Sequence, residues 1–215
     1  MAIQIILRNM NREKVRKTIE EVMAESMDDP ILRTGLEAIR KAYDKKIWLV
    51  GGFISDKAIQ RLYGDATPCP KDVNLMLDRI LDLGMIATPP GWYRTKTNFG
   101  NLRFKKESDQ IDIWCLPGMK ATGLPGHELT IEEYLDRVPL TIQSLAYDLE
   151  EGRILGSVGI DSIAERTVGV LSAIDAQEAA SKRGQTIEQY LQIKAKKIGF
   201  YAELPHYAGK HPEKR

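Results

Sequence analysis

Ile47-Trp48-Leu49-Val50-Gly51-Gly52, followed by Lys71-Asp72-Val73-Asn74-Leu75-Met76-Leu77-Asp78, are the stretches on which the architecture turns. The first is a short, wholly apolar run stopped by two glycines, which reads as a buried strand ending in a turn. A helix over 53–63 follows, closed by Gly64. The second stretch alternates. Asp72, Asn74 and Met76 fall on one face of a strand, and Val73, Leu75 and Leu77 fall on the other. A third strand, Gln110-Ile111-Asp112-Ile113-Trp114, carries Asp112 on the face opposite its two isoleucines.

Working outward, residues 12–27 have the spacing of an amphipathic helix, with Val15, Ile19, Val22 and Met23 on one side. Asp29-Pro30 supplies a cap and a proline suited to a helix start. The next helix buries Leu32, Leu36, Ile39 and Tyr43. Further strands are expected near 92–97, 100–105 and 110–116, with a hairpin turn at 98–101. A Gly- and Pro-rich loop spans 117–129, and a short helix lies near 130–136. Thr141 to Leu149 and Arg153 to Leu155 read as a hairpin turning at 150–152. From about 173 the composition turns helical, with Ile187, Leu191, Ile193 and Ile198 recurring. A polar tail runs from His206 to Arg215.

The 215 residues carry 31 Lys and Arg against 30 Asp and Glu, a formal charge of +1, so no polyanionic partner is demanded by net charge. Apolar residues at 43% and charged residues at 28% fit an ordinary globular chain and exclude a disordered one. Two cysteines, Cys69 and Cys115, and three histidines, His127, His206 and His211, are too few and scattered for a disulfide framework or a Cys/His metal site. No apolar run reaches the roughly 18 residues that span a bilayer, and Met1 to Met10 is too short for a signal peptide. A reducing, cytoplasmic setting without membrane attachment is expected.

The chemistry suggested by the three strands is phosphate handling. Glycines admit the backbone close to a phosphate, and a helix start offers unpaired N–H groups. Residues i and i+2 on a strand project side by side, so Asp72 and Asn74, joined by Asp112, could hold a hard cation such as Mg²⁺. In the alternative, each is a surface polar group. Arg94, Lys96, Arg103, Lys105 and Lys106 are either phosphate or RNA contacts or a solvated strand face. Lys194, Lys196 and Lys197 read as a solvated helix face.

Leu49-Val50-Gly51-Gly52-x-x-x-Asp56, Lys71-Asp72-Val73-Asn74 and Ile111-Asp112 together resemble the head domain of the CCA-adding enzymes and poly(A) polymerases, in the DNA polymerase β-like nucleotidyltransferase superfamily. Leu140 to Asp148 and Gly152 to Val168 resemble two later blocks of that family, and Gln192 to Phe200 resembles the start of its helical neck. The resemblance covers about residues 36–200. It implies a mixed α/β (α+β) fold, a mixed β-sheet flanked by helices, with N-terminal helices and a C-terminal neck-like helix. It implies a head over 1–172 and a helical extension over 173–215. It further implies Asp72, Asn74 and Asp112 as catalytic metal ligands for Mg²⁺ or Mn²⁺, and Gly51, Gly52, Ser55 and Asp56 as nucleotide-binding. The activity implied is transfer of a nucleotidyl group from an NTP to a hydroxyl on RNA, a protein or a small molecule by a two-metal mechanism. The departures are Asn74 in place of a second Asp, Ser55 in place of Arg, Val138 and Pro139 in place of Arg and Asp, and Gln143 in place of Asn. Asn74, Ser55 and Pro139 favour the alternative, a catalytically degenerate relative that binds nucleotide, RNA or a partner protein, whereas the retained Asp72, Asp112 and glycines favour transfer, the first expectation.

Overall fold

The computed structural model describes residues 10–64, 70–97, 100–118 and 129–204. Its elements, in order, are α1 (Arg12–Glu25), α2 (Pro30–Arg40), β1 (Ile47–Val50), α3 (Gly52–Tyr63), β2 (Asp72–Leu77), β3 (Tyr93–Lys96), β4 (Leu102–Lys106), β5 (Asp109–Cys115), α4 (Ile131–Leu135), β6 (Ala146–Asp148), β7 (Arg153–Leu155), α5 (Ser157–Glu165), β8 (Thr167–Gly169), α6 (Ala173–Ser181), α7 (Ile187–Lys197) and β9 (Tyr201–Glu203). Seven strands form one sheet in the order β3-β4-β5-β2-β1-β6-β7, and β8 pairs with β9 apart from it. All neighbours in the large sheet are antiparallel except β2 and β5, which run parallel.

The alternation read from β2 holds. Val73, Leu75 and Leu77 are fully buried, and with Ile111 and Ile113 of β5 they join the main core formed against α1, α2 and α3. Each such side chain contributes about 1.5–3 kcal/mol by leaving water. The N-terminal helices form as their capping signals suggest. Asp29 Oδ1 accepts from the N–H of Ile31 and Leu32, and Pro30 opens α2. The opposite sheet face carries a smaller apolar cluster of Trp48, Val50, Met76 and Ala146, covered by Leu116, Leu129 and α4. That covering leaves one end of the face for polar groups.

The C-terminal extension enters the main core. Ala176, Ala180, Ile187, Tyr190, Leu191, Ala195, Ile198 and Phe200 are all buried in it. Ile193 does not share their side: it stands 54% exposed. Two positions past Leu191 is about 200° around a helix, which turns Ile193 to solvent.

Thr141 to Leu149 is not one strand. Thr141–Gln143 is a 3-10 turn, and only Ala146–Asp148 pairs as β6. Local polar bonds account for the difference. Gln143 Oε1 accepts from the Leu140 N–H at 3.2 Å, and Thr141 Oγ1 accepts from the Gly169 N–H at 2.9 Å. These bonds satisfy the backbone without a ladder. Cys69, His127, His206, His211, the tail from 206, residues 98–99 of the expected hairpin turn and most of the 117–129 loop lie outside the described residues.

Candidate functional site

The site lies where β1 finishes and β2 and β5 begin. Antiparallel pairing sets Val50 opposite Asn74, and parallel pairing sets Asn74 opposite Asp112 and Asp72 opposite Gln110. Paired residues share a sheet face, so Asp72, Asn74 and Asp112 come together on the side away from the main core. Gly51 stands beside them: a Cβ placed on it would lie 3.7 Å from Asn74 Nδ2. Gly51 has φ +77° and ψ −140°, a conformation that favours glycine, and as the N-cap of α3 it supplies no side-chain hydrogen bond. The start of α3 therefore turns backbone N–H groups and a positive dipole end toward the carboxylates.

Ser55 and Asp56 are placed differently from the glycines. Both are buried on α3, and the Ser55 hydroxyl donates to the Gly52 carbonyl oxygen at 3.1 Å. Trp114 shares Asp112's face but packs edge-on against Tyr134, with ring centroids 6.4 Å apart.

The basic strand residues divide. Arg94 donates to the carbonyls of Ile86 at 2.8 Å and Leu83 at 2.5 Å, bracing the loop before β3. Arg103 lies opposite Asp112 across the β4–β5 hairpin. Its Nε and Nη2 donate to Asp112 Oδ1 and Oδ2, each at 2.7 Å, and Gln110 Nε2 adds a bond to Oδ2 at 3.2 Å. The Asp112 side chain is 7% exposed and that of Arg103 is 23% exposed, so this forked pair is largely desolvated. Burial and the neighbouring Asp112 charge push the Asp72 carboxyl above its ordinary range, while Arg103, Lys197 and Lys105 pull it back. Lys194, one turn before Lys197, is half-buried; desolvation pulls its ammonium below the usual lysine range against the opposing pull of Asp56.

A divalent cation of the Mg²⁺ class needs several oxygen ligands, with carboxylates supplying the charge. Here Asn74 is neutral, and both Asp112 oxygens are occupied by Arg103 and Gln110. Of the three expected ligands, Asp72 is left as the carboxylate without a hydrogen bond among the described residues, and no group of three His, Cys, Asp or Glu among them could hold a metal ion. As placed, these side chains do not fit a two-metal centre.

No protein-family model and no curated protein matches the chain. Solved structures do. A tRNA-processing enzyme in its apo form is 17% identical over 83% of this chain, with a TM-score of 0.53. A tRNA nucleotidyltransferase complexed with a primer tRNA and an incoming ATP analog is 19% identical over 79%, with a TM-score of 0.52. The chain has the nucleotidyltransferase fold. The CCA-adding enzyme of Thermotoga maritima, complexed with tRNA, is a further match at 18% identity, 82% coverage and a TM-score of 0.50. The chain spans 44–46% of the length of these proteins. Within the nucleotidyltransferase fold, Arg103, read from the sequence as either a phosphate or RNA contact or part of a solvated face, is engaged with Asp112, and Lys194, read as solvated, is half-buried. The signals for them were a hairpin register and a helical stripe.

Proposed function

We propose that the protein binds a nucleoside triphosphate in this cleft, with the phosphates directed to Gly51, Gly52 and the start of α3, and to Arg103. The observation that carries the reading is the meeting, at one end of one sheet, of an uncapped helix start with a partly exposed guanidinium. Backbone N–H groups at a helix start and a guanidinium fork are both suited to phosphate oxygens. Two like-folded structures support it by description, a tRNA-processing enzyme with CTP and a tRNA nucleotidyltransferase with an ATP analog. Of the two functions expected from the sequence, binding without transfer is favoured by the engagement of Asp112 with Arg103.

The second reading is nucleotidyl transfer to a hydroxyl of RNA, a protein or a small molecule. It is favoured by the register that gathers Asp72, Asn74 and Asp112 on one face. Thermal or chemical denaturation with each NTP tests the binding reading. A ligand that prefers the folded state stabilises it by about 2.7 kcal/mol at a hundredfold excess over its dissociation constant. No shift with any NTP overturns nucleotide binding. Incubation with labelled NTP and a mixed RNA and protein pool separates the readings: label retained on an acceptor after denaturation selects transfer.

A further inference from the structure

We infer that fixed side-chain cations take the place of metal ions in this cleft, so that it holds the polyphosphate of a nucleotide without a divalent cation. The inference rests on the nucleotide reading above and says how that ligand is held. It starts from a charge count. Asp72 and Asp112 are the carboxylates of the strand face, and Arg103 and Lys105 of β4 stand opposite Asp112 and Gln110 on that same face. Arg103 is in addition locked onto Asp112 through two bonds of 2.7 Å. Two cations therefore face two carboxylates. Hard divalent cations leave water for sites with excess negative charge, and here that excess is already neutralised.

The geometry of Arg103 fits a second, anionic partner. A guanidinium carries five N–H donors. Asp112 takes one from Nε and one from Nη2, leaving the Nη1 edge for another acceptor. Holding one carboxylate while reaching a phosphate oxygen is within the capacity of a planar fork, and the side chain retains exposure on that side of the sheet. Lys105, opposite Gln110 in the hairpin, continues the cationic row on the same strand face. The uncapped start of α3 supplies neutral donors at the other margin. An anion entering this space meets donors from a strand and a helix start, with Asp112 keeping Arg103 in position.

Isothermal titration of the full chain with ATP, CTP and inorganic tripolyphosphate, in EDTA and again in magnesium buffer, tests this. The expected result is binding in EDTA, with dissociation constants in the two buffers agreeing within about threefold, well inside the tenfold that 1.4 kcal/mol represents. Arg103→Met should weaken binding in EDTA by about tenfold or more, the effect of losing a charge-assisted bond. Because Arg103→Met leaves Asp112 buried without its counter-ion, the paired variant Arg103→Met/Asp112→Asn is measured alongside it. That variant removes one charge of each sign, and it should show the same loss in EDTA. Arg103→Met/Asn74→Asp should convert the site, binding nucleotide in magnesium far better than in EDTA. Wild-type binding that appears only with magnesium overturns the inference and leaves the nucleotide reading intact. Undiminished binding by Arg103→Met/Asp112→Asn in EDTA also overturns it. No binding in either buffer overturns both.

Discussion

Asn74 and Asp112 sit opposite one another across the parallel β2–β5 pair, yet only Asp112 is engaged from the far side, by Arg103 on β4. One strand pairing therefore gathers the polar triad, and the next one neutralises part of it. The functional character of the cleft is decided by that second pairing as much as by the first.

Removing either member of the Arg103–Asp112 pair should be costly. Asp112→Asn and Arg103→Met each leave a largely buried partner without its charge complement, and each should lower unfolding free energy by about 2–4 kcal/mol. The double variant should cost less than the sum, because the groups interact directly. Urea denaturation of the three variants checks both statements; strict additivity would mean that the pair contributes nothing jointly.

Gly51 and Gly52 should respond differently to alanine. At Gly51, φ of +77° makes a side chain strained, so Gly51→Ala should destabilise by about 1–3 kcal/mol. At Gly52 a Cβ would meet nothing within 4 Å, so Gly52→Ala should leave the melting temperature unchanged while lowering affinity for an NTP at the helix start. Melting curves and titrations on both proteins distinguish the roles.

The Lys46–Asp148 pair gives a pH signature. Asp148 is fully buried and bonded to Lys46 Nζ at 2.8 Å and to the N–H groups of Glu150 and Glu151. Burial alone would raise its carboxyl, but Lys46 and the two N–H groups prevail and hold it below its ordinary 3.8. Hydrogen bonds to Asp148 and Glu151 hold the Lys46 ammonium above its ordinary 10.5. A depressed carboxyl stabilises above its unfolded value and loses that contribution as pH falls through the folded one. A raised ammonium stabilises below its unfolded value and loses it as pH rises through the folded one. The contribution should be flat from about pH 5 to 9 and lost at both extremes. Lys46→Met should remove it, lowering stability at pH 7 by about 2–3 kcal/mol while flattening the acid limb.

The segment after residue 172 should be indispensable. Leu191 is fully buried in the main core, so Leu191→Ala should cost about 2–5 kcal/mol. Truncation after 172 should expose apolar surface and yield insoluble protein. A soluble truncate with unchanged denaturation behaviour would remove α6 and α7 from the core.

Much of this was legible locally. Ile47 to Val50 gave a strand, Asp29-Pro30 a helix start, Gly64 a helix end, and the alternation of β2 sorted Asp72 and Asn74 from the core. Each signal is a property of neighbouring residues. Arg103 was harder, although in a two-residue hairpin the pairing of Lys106 with Asp109 fixes that of Arg103 with Asp112. The turn residues are Glu107 and Ser108, and Glu107 takes φ +53° without the Asn-Gly or Asp-Gly signature that marks such turns. The parallel pairing of β2 with β5 is non-local, so nothing in either strand announces it. Lys194 did follow the buried stripe of Ile187, Tyr190, Leu191 and Ile198, but a cation in such a stripe is uncommon enough to be read as a solvated one.

The β4–β5 hairpin also bears on the order in which the molecule assembles. Arg103 and Asp112 are nine residues apart, so their pairing needs only a local ribbon, which closes in about 1–10 μs. The β2–β5 pairing must bridge the whole stretch between Asp72 and Gln110, and such non-local parallel contacts come slowly. Asp112 should thus reach Asp72 with its charge already matched, sparing the nascent sheet a repulsion between two carboxylates as it zips. Stopped-flow kinetics would register this as an asymmetry, with Arg103→Met slowing refolding far more than it speeds unfolding.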